Sequence, residues 1–361
     1  MKILHVITTL DIGGAERLMV DLLPLLNQGE NQVDLLLFNG VDTPFKNELK
    51  EKGVRILQLT SWKGIKNHFE VYNPLNIFRL KPYISDYDIV HTHNTACQYY
   101  VSLAAKLCKR PILVTTEHST FNRRRSLKWF KPIDKWMYDK YSAVICISDQ
   151  ASANLKEYIG APEKIHTILN GVNVDRFYRS SKEISRNSSF LISMIAAFRK
   201  EKDHETMLRA MSHLPVNYKL QLAGRDFDEK VPTLKQMCID LGIQDRVDFL
   251  GARSDVPDLL EESDVVVMSS HWEGFGLAAV EAMAAGRPLI ASDVGGLRDI
   301  VQDGGLLFPQ GDDKELAHRI QFLCEHPDEY HEVAKQCRNK AQQYDISKMA
   351  EKYLGLYESL L

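Results

Sequence analysis

The sequence predicts an α/β protein with two domains, each built on a doubly wound parallel sheet. Along the chain, short apolar runs alternate with longer amphipathic segments, which is the pattern of strand–helix units. A polar stretch rich in Ser, Asn and Arg, residues 170–190, interrupts this alternation, which then resumes. With 361 residues, the chain is also longer than one hydrophobic core usually supports. We therefore expect an N-terminal domain at residues 1–172 and a C-terminal domain at residues 173–346.

The individual elements follow from apolar periodicity. Predicted strands lie at residues 2–8, 32–38, 54–59, 88–93, 111–116, 143–148, 190–198, 218–224, 246–251, 264–270 and 287–293. Helical spacing is clearest at residues 15–28, 95–109, 205–214, 231–242 and 277–286. A final helix, about residues 347–361, is expected to pack back on the first domain. Because such sheets bind ligands beyond the carboxyl ends of their strands, the two domains are expected to face each other across a cleft.

Composition excludes several classes of protein. Hydrophobic residues make up 44% of the chain and charged residues 26%, which argues against disorder. No apolar run approaches the roughly 18 residues of a membrane-spanning helix, and the N-terminus has the pattern of a buried strand rather than a secretion signal. The six cysteines are scattered, without the close pairs of zinc or redox sites. We expect a cytoplasmic protein, free or peripheral on the inner face of the cell membrane.

Charge is divided unevenly between the two halves. Residues 1–175 contain 22 Lys and Arg against 18 Asp and Glu, whereas residues 176–361 contain 23 against 30. The basic first half suggests an anionic partner for the N-terminal domain, such as a membrane surface or a phosphorylated acceptor. The overall net charge of -3 disfavours nucleic acid as a partner.

The most informative segment is SSHWEGFGLAAVEAMAAGRPLIASDVGG, residues 269–296. A strand ends in a glycine-punctuated loop, and a helix is predicted to begin near Gly276. The backbone N–H groups of Phe275, Gly276 and Leu277 would then lie at a helix N-terminus, where they suit a diphosphate. Glu273 and Glu281 flank this position and could accept hydrogen bonds from sugar hydroxyls. A surface loop with an acidic helix end remains the alternative.

These residues also carry a family resemblance. The segment EGFGLAAVE, with Glu273 and Glu281 at its ends, resembles the paired-glutamate motif of the family 4 (group 1) retaining glycosyltransferases of the GT-B fold, two Rossmann-like domains facing across a cleft. Further segments follow in the family's order along nearly the whole chain: GGAE at 13–16, TEHS at 116–119, NGVNVDRF at 170–177, KDHET at 202–206 and DVGGLRDIV at 293–301.

The resemblance implies roles for individual residues of the C-terminal domain. Glu273 would hold hydroxyls of the transferred sugar and Glu281 the ribose, while the backbone at 275–277 binds the diphosphate. The segment 246–253, which ends at Arg253, would frame the base. Lys202 matches the family's diphosphate-binding lysine. The arginine that many members carry five positions earlier is Ala197 here, and Arg199 could replace it.

In the N-terminal domain, the predicted site residues follow the first and fifth strands. Gly13 and Gly14 would begin a helix and offer N–H groups, and the resemblance places this loop toward donor and acceptor. The third glycine of GxGxxG is missing, which argues against a dehydrogenase. The resemblance places His118 near the transferred sugar, with a weaker expectation for Glu117.

Two further features have open interpretations. His91 and His93 could suggest a metal site, but no third ligand is evident, so we expect one histidine to point inward and one outward. Residues 121–140 contain seven basic residues interleaved with Phe, Trp and Tyr, which suits an anionic membrane surface. A solvated basic helix, or one that grips acceptor phosphates, is the alternative.

Together, the resemblance implies a retaining, metal-independent hexosyltransferase that needs no cofactor. It would move a hexose or N-acetylhexosamine from a nucleotide sugar, with UDP as the first choice and GDP-mannose next, to a glycan or polyprenyl-linked acceptor in surface polysaccharide biosynthesis. Two alternatives stay open. One is another enzyme of the same fold, a nucleotide-sugar epimerase or phosphorylase, and the other is a non-catalytic nucleotide-sugar-binding protein.

Overall fold

The computed structural model of the protein describes residues 1–11, 13–60, 71–108, 111–119, 123–178 and 189–361. Contacts between Cα atoms divide these residues into two compact units. Unit 1 comprises Met1–Gly171 and Ile346–Leu361, and unit 2 comprises Val172–Asp345. The break lies one residue before the predicted boundary, and the terminal segment belongs to unit 1.

Unit 1 is built on a seven-stranded parallel sheet with the order β3-β2-β1-β4-β5-β6-β7. Its strands are β1 Lys2–Ile7, β2 Gln32–Leu37, β3 Arg55–Gln58, β4 Ile89–Thr92, β5 Ile112–Glu117, β6 Ala143–Cys146 and β7 Ile165–Thr167. Its helices are α1 Gly14–Leu26, α2 Pro44–Glu51, α3 Asn76–Ile84, α4 Thr95–Ala104, α5 Lys131–Tyr138, α6 Asp149–Ile159 and α15 Ile346–Leu360. Short 3-10 turns lie at Ala105–Leu107, Arg123–Ser126, Lys128–Phe130 and Pro162–Lys164.

The sheet of unit 1 is buried on both faces. Alternate residues of β1 belong to different cores: Ile3 and Ile7 pack in one cluster, and Leu4 and Val6 in the other. This alternation follows from the two-residue period of a strand. The cluster with Ile3 and Ile7 also contains residues of α1 and α15, so the terminal helix completes one face of this sheet.

Unit 2 is built on a six-stranded parallel sheet with the order β10-β9-β8-β11-β12-β13. Its strands are β8 Phe190–Ile195, β9 Tyr218–Ala223, β10 Val247–Gly251, β11 Val265–Met268, β12 Leu289–Ser292 and β13 Leu306–Phe308. Its helices are α7 Val174–Phe177, α8 His204–His213, α9 Val231–Asp240, α10 Val256–Glu262, α11 Leu277–Ala284, α12 Arg298–Val301, α13 Asp313–Glu325 and α14 Pro327–Ala341. Short 3-10 turns lie at Lys200–Lys202, Gln244–Arg246 and Gln342–Tyr344.

Three short elements differ from the sequence-based expectation. The edge strands β7 and β13 have three residues each, too few to show a period, and were not predicted. The polar stretch 170–190 was expected to be irregular, yet it contains α7, whose first turn is capped where the Asn173 side chain accepts a hydrogen bond from the N–H of Arg176 at 3.2 Å. Residues 179–188 of that stretch lie outside the described residues.

Each sheet has a point where its strand order reverses, and this point positions the candidate site. In unit 2 the chain steps outward from β8 to β10 on one side and from β11 to β13 on the other. In unit 1 the corresponding neighbours are β1 and β4. Loops that leave the carboxyl ends of such neighbouring strands diverge, which opens a crevice for ligands.

Among the described residues, the helices are all too short or too polar to cross a lipid bilayer.

Candidate active site

Lys202 and Glu273 form an ion pair where the loops after β8 and β11 meet. The Lys202 Nζ donates to Glu273 Oε1, and the hydroxyl of Ser270 donates to the same oxygen at 3.2 Å. The two charged side chains are 20% and 10% exposed, so the pair is largely shielded from water. The two loops therefore bring a cation and a carboxylate together at the reversal point of this sheet.

Ser269 fixes the backbone that carries Lys202. Its hydroxyl lies 3.3 Å from the carbonyl of Lys202 and donates to that of Asp203 at 2.8 Å. Asp203 itself has a left-handed backbone (φ 49°), and its carboxylate caps α8 by accepting from the N–H of Thr206 at 3.2 Å. The end of β11 is thus tied to the turn that follows β8, which limits the positions that Lys202 can adopt.

Two glycines shape the loop between Glu273 and α11. Gly276 precedes the helix with φ 90°, and a Cβ there would lie 2.8 Å from Cδ2 of Leu297. Gly296 has φ 84°, and a Cβ there would collide with the backbone carbonyl of Glu273. Glycine is required at both positions because the turn after β12 packs directly on this loop.

The N-terminus of α11 supplies amides at the same place. The helix begins at Leu277, so its first N–H groups have no intrahelical acceptor. The ring of Phe275 is 4% exposed and packs edge-on against Tyr344, with ring centroids 5.7 Å apart. The ring therefore anchors the loop, and the backbone at 275–277 is the part suited to a ligand. Glu281 lies on the second turn of α11 with a half-buried side chain.

Two predicted arginines of unit 2 have other partners. The guanidinium carbon of Arg199 lies 4.2 Å from the centroid of the Phe227 ring, and a guanidinium nitrogen lies 3.8 Å from Glu201. Arg253 follows the edge strand β10 and donates from Nε to Oδ1 of Asp255 at 2.8 Å. Contact of either arginine with a donor stays a prediction.

In unit 1, Gly13 and Gly14 begin α1 at the carboxyl end of β1. Gly13 is the N-cap residue, and its carbonyl accepts from the N–H of Arg17 at 2.9 Å. The carboxylate of Glu16 folds back over Gly13, so that a Cβ there would collide with Oε2. The predicted glycine loop is therefore the start of α1, and the side chain of Glu16 covers Gly13.

His118 lies directly after β5, with a half-buried ring. Its Nε2 is 3.1 Å from Nδ1 of His93. Burial lowers the pKa of His118 to about 4, so the imidazole is neutral at pH 7. A neutral ring can donate one hydrogen bond and accept another, and which nitrogen carries the proton decides its chemistry.

The expectation for His91 and His93 was wrong. Residues two apart on a strand point to the same face, so both rings lie on one side of β4 and both are buried. His5 stands beside His91 in the neighbouring strand β1, and a ring nitrogen of each of the three lies within 4.8 Å of the other two. Burial lowers the pKa of His5 to about 3 and those of His91 and His93 well below the usual value.

Glu117 has a structural role. It is buried and accepts hydrogen bonds from Gln98 Nε2 at 2.6 Å, Tyr138 OH at 2.5 Å and Arg125 NH2 at 2.7 Å. Three donors of unit 1 therefore hold the buried carboxylate in place, and a catalytic role for Glu117 stays a prediction.

The basic segment 121–140 does not present all of its cations to solvent. The Arg124 Nε donates to Asp134 at 2.9 Å, and Arg125 pairs with Glu117; the two arginine side chains are 12% and 11% exposed. Expecting these two arginines on a docking surface was wrong, because each neutralises a buried carboxylate. Residues 121 and 122 lie outside the described residues.

Family models match both halves of the chain. The model of the family described as Glycosyltransferase Family 4 matches residues 12–176, and that of Glycosyl transferases group 1 matches residues 176–344. The two matches meet at residue 176, close to the break between the units. The chain belongs to the group 1, family 4 glycosyltransferases.

Relatives of this glycosyltransferase include enzymes with lipid-linked acceptors in their names. The UDP-Gal:alpha-D-GlcNAc-diphosphoundecaprenol alpha-1,3-galactosyltransferase of Escherichia coli is 26% identical over 99% of this chain and 96% of its own. The putative glycosyltransferase EpsD of Bacillus subtilis is 29% identical over 76% of this chain and 77% of its own. The crystal structure of Anabaena HepE with UDP and glucose superposes with a TM-score of 0.86, at 23% identity, over 99% of this chain and 100% of that one. The glycosyltransferase therefore has the GT-B fold.

Sequence reasoning missed the partners that surround the predicted residues. Ser270, His5 and the tyrosines of α15 have no motif of their own. His5 gave one available signal, a histidine inside the apolar run KILHVIT. Its meaning depends on the pairing of β1 with β4, which the sequence order of the strands does not reveal.

Proposed function

We propose that this glycosyltransferase moves a hexose or N-acetylhexosamine from a UDP-sugar to a glycan or polyprenyl-linked acceptor, with retention of anomeric configuration. The observation that carries the proposal is the Lys202–Glu273 pair beside the amide end of α11. It combines a cation and helix N–H groups, which suit a diphosphate, with a carboxylate that suits sugar hydroxyls.

In this mechanism the protein stabilises the leaving group. Lys202 and the first amides of α11 neutralise the charge that builds on the nucleoside diphosphate as the sugar departs. Glu273 exchanges its bond with Lys202 for hydroxyls of the transferred sugar and so orients the ring for attack by the acceptor. Neither role requires a divalent metal, and we propose that the reaction proceeds in the presence of a chelator.

UDP is the proposed nucleotide, and a lipid-linked saccharide the proposed acceptor. The names of the Escherichia coli relative and of the HepE complex contain UDP, whereas a Xanthomonas campestris relative, 24% identical over 81% of this chain, is a GDP-mannose enzyme. All of these have the same diphosphate, so the site that we describe suits either nucleotide. Surface polysaccharide biosynthesis is the proposed setting.

A ligand panel tests the donor. Thermal unfolding would be followed with UDP, GDP, UDP-glucose, UDP-galactose, the two UDP-N-acetylhexosamines and GDP-mannose, since a bound ligand raises apparent stability by mass action. We expect the UDP ligands to raise the unfolding temperature more than the GDP ligands do, because the base is the part in which the two nucleotides differ. The best donor is then incubated with lipid-linked acceptors, and the anomeric proton coupling of the product reports retention or inversion. Stabilisation by GDP ligands alone, or an inverted product, would contradict the proposal.

We also propose that unit 1 docks on an anionic membrane through exposed residues of the segment 127–135. Trp129, in the 3-10 turn before α5, is 64% exposed, and Ile133, in the first turn of α5, is 44% exposed. Lys131 and Lys135 are exposed on the same segment. An apolar pair flanked by lysines suits an acidic lipid surface.

Liposome flotation tests this docking. Trp129→Ser with Ile133→Ser is expected to abolish binding to vesicles that contain phosphatidylglycerol. Val216→Ser is the control, because Val216 is also exposed, at 85%, but lies in unit 2. Binding of the double variant equal to that of the control would show that the segment does not dock.

A further inference from the structure

A chain of hydrogen bonds links His118 to the terminal helix α15. Every link is a contact between ring nitrogens or hydroxyl groups inside unit 1. In order, the links are His118 Nε2 to His93 Nδ1 at 3.1 Å, His93 Nε2 to His5 Nδ1 at 2.8 Å, His5 Nε2 to Tyr357 OH at 3.4 Å, Tyr357 OH to His91 Nδ1 at 2.5 Å, His91 Nε2 to Thr116 Oγ1 at 2.8 Å, and Thr116 Oγ1 to Tyr353 OH at 3.1 Å.

The chain has one direction of donation along its whole length. A neutral imidazole has one N–H and one bare nitrogen, so a ring that accepts on one side must donate on the other. The low pKa values that burial produces keep all four rings neutral at pH 7. The tautomers of the four histidines, His118, His93, His5 and His91, are therefore coupled. The groups at the two ends of the chain decide which nitrogen of each ring carries the hydrogen.

Tyr353 decides the direction. Its hydroxyl is fully buried, and within the part of the chain that the structure describes its hydrogen-bond partner is Thr116. If Thr116 donated to Tyr353, the phenol hydrogen would be buried without an acceptor, which is more costly than an idle lone pair. Tyr353 therefore donates, and the donation continues through Thr116 to Nε2 of His91.

We propose that this chain holds His118 as the Nδ1–H tautomer, so that His118 meets its ligand as a hydrogen-bond donor and not as a base. His91 donates from Nδ1 to Tyr357, Tyr357 donates to His5, and His5 and His93 donate in turn from Nδ1. The last acceptor is Nε2 of His118, and the proton of His118 stays on the other nitrogen. Tyr353, Tyr357, His93 and His5 are positioning residues.

A metal ion shared by the three buried histidines would require a different arrangement. Their nitrogens lie close enough for a common ion, and imidazole is a frequent zinc ligand. However, each of these nitrogens already has a hydrogen-bond partner, and the rings of His5 and His93 are stacked, with an interplanar angle of 12°. An ion would displace the protons on which the chain depends.

The consequence for catalysis rests on the proposed function, because it assumes that His118 touches the transferred sugar. A donor at Nδ1 suits a sugar oxygen and cannot take a proton from the acceptor hydroxyl. The tautomer itself is independent of that assumption and can be read in the protein without substrate.

The experiment is an ¹⁵N spectrum of the histidine rings in the full-length protein, labelled at histidine, near pH 7. The His118 signals are identified by their loss in His118→Gln. We expect a protonated Nδ1 and a bare Nε2 in the wild type, which is opposite to the preference of free histidine. Tyr353→Phe removes the hydroxyl that sets the direction and Tyr357→Phe cuts the chain, and both are expected to give a mixture of tautomers at His118.

Tyr141→Phe is the matched control. Tyr141 is as buried as the two helix tyrosines, and its hydroxyl bonds to Thr92 at 3.1 Å and to the carbonyl of Gln98 at 2.8 Å, outside the chain. It is expected to leave His118 unchanged. Should Tyr353→Phe fail to fold, Thr116→Val breaks the same link with little change in volume.

Three outcomes would overturn the inference: a protonated Nε2 on His118 in the wild type, variant spectra identical to the control, or a stoichiometric metal ion in the purified protein. Turnover gives the second readout. Equal tautomer populations leave half of the molecules competent, so Tyr357→Phe should lower kcat at least about twofold with unchanged affinity for UDP. A mixture of tautomers in Tyr357→Phe with an unchanged kcat would support the hydrogen-bond chain. The same result would contradict the proposed role of His118 in catalysis.

Discussion

Lys202 places a cation beside Glu273, and its removal tests the electrostatic role of the site. We expect Lys202→Ala to lower kcat by roughly two to three powers of ten, the scale of losing one contact to developing charge. Lys200→Ala is the control, because Lys200 is exposed on the same 3-10 turn. Initial rates with a saturating donor measure the effect, and full activity of Lys202→Ala would remove this lysine from the mechanism.

Arg125 neutralises the buried Glu117, so its reversal should affect stability rather than membrane binding. In Arg125→Glu a second carboxylate would lie beside Glu117, and we expect a loss on the order of 3 kcal/mol or more in the free energy of unfolding. Lys135→Glu, at an exposed position of the same segment, should change it by less than about 0.5 kcal/mol. Urea unfolding measures both, and equal midpoints would refute the structural role.

The resemblance identified residues that the fold brings into contact, but it could not show which partners surround them. Glu273 and Lys202 come from segments 71 residues apart, and the structure places their side chains in contact, while their roles toward a ligand stay predictions. The interpretation of His91 and His93 failed because it ignored the two-residue period of a strand. The burial of Arg124 depends on Asp134, whose pairing no local pattern shows.

The turn after β12 supports the loop that carries Glu273. Gly295 and Gly296 are adjacent. Only Gly296 has a left-handed backbone, and only there would a Cβ collide with the backbone of Glu273. Gly296→Ala should cost at least about 1–2 kcal/mol from the backbone conformation, and displacement of Glu273 should lower kcat as well. Gly295→Ala meets nothing within 4 Å and should be neutral. Thermal unfolding and donor turnover are measured for both variants. Equal stability and equal activity of Gly296→Ala and Gly295→Ala would show that Gly296 does not support the loop that carries Glu273.

Elements were predictable to the extent that they are long and periodic. The helices α8 and α11 begin within one residue of their predicted starts, because an Asp or a Gly marks each N-terminus. The strands β7 and β13 have three residues, so their place at the sheet edges depends on neighbours far away in the sequence. The contacts of α15 with β1 and β4 also depend on residues far away in the sequence, because Tyr357 bonds to His5 and His91.

The buried histidines make stability depend on pH. His5, His91, His93 and His118 have lowered pKa values in the folded protein, whereas in the unfolded chain they titrate near pH 6.5. The unfolded chain therefore binds more protons below that pH, and stability falls as the pH drops from about 6.5 toward 4. Each histidine contributes a slope of up to about 1.4 kcal/mol per pH unit.

Urea unfolding of the wild type at pH 7.5, 6.5 and 5.5 measures this dependence. We expect little change above pH 7 and a decline below it, and a smaller slope in His118→Gln, which removes one titrating group. Equal free energies of unfolding at pH 7.5 and 5.5 would contradict neutral, buried histidines in unit 1.

For the chain as a whole, strand–helix alternation predicted two doubly wound sheets, and the family motifs predicted GT-B. The order of strands within each sheet was not predictable from periodicity, since every strand of a parallel sheet has a similar apolar pattern. That order places the loops after β8 and β11 side by side and so brings the residues of the candidate site together.

The most direct measurement is a crystal structure of the protein with a UDP-sugar. We predict that the pyrophosphate lies against the backbone N–H groups at 275–277 with Lys202 in contact, and that the sugar hydroxyls take the place of Lys202 on Glu273. A pyrophosphate bound elsewhere, with the Lys202–Glu273 pair undisturbed, would contradict the account.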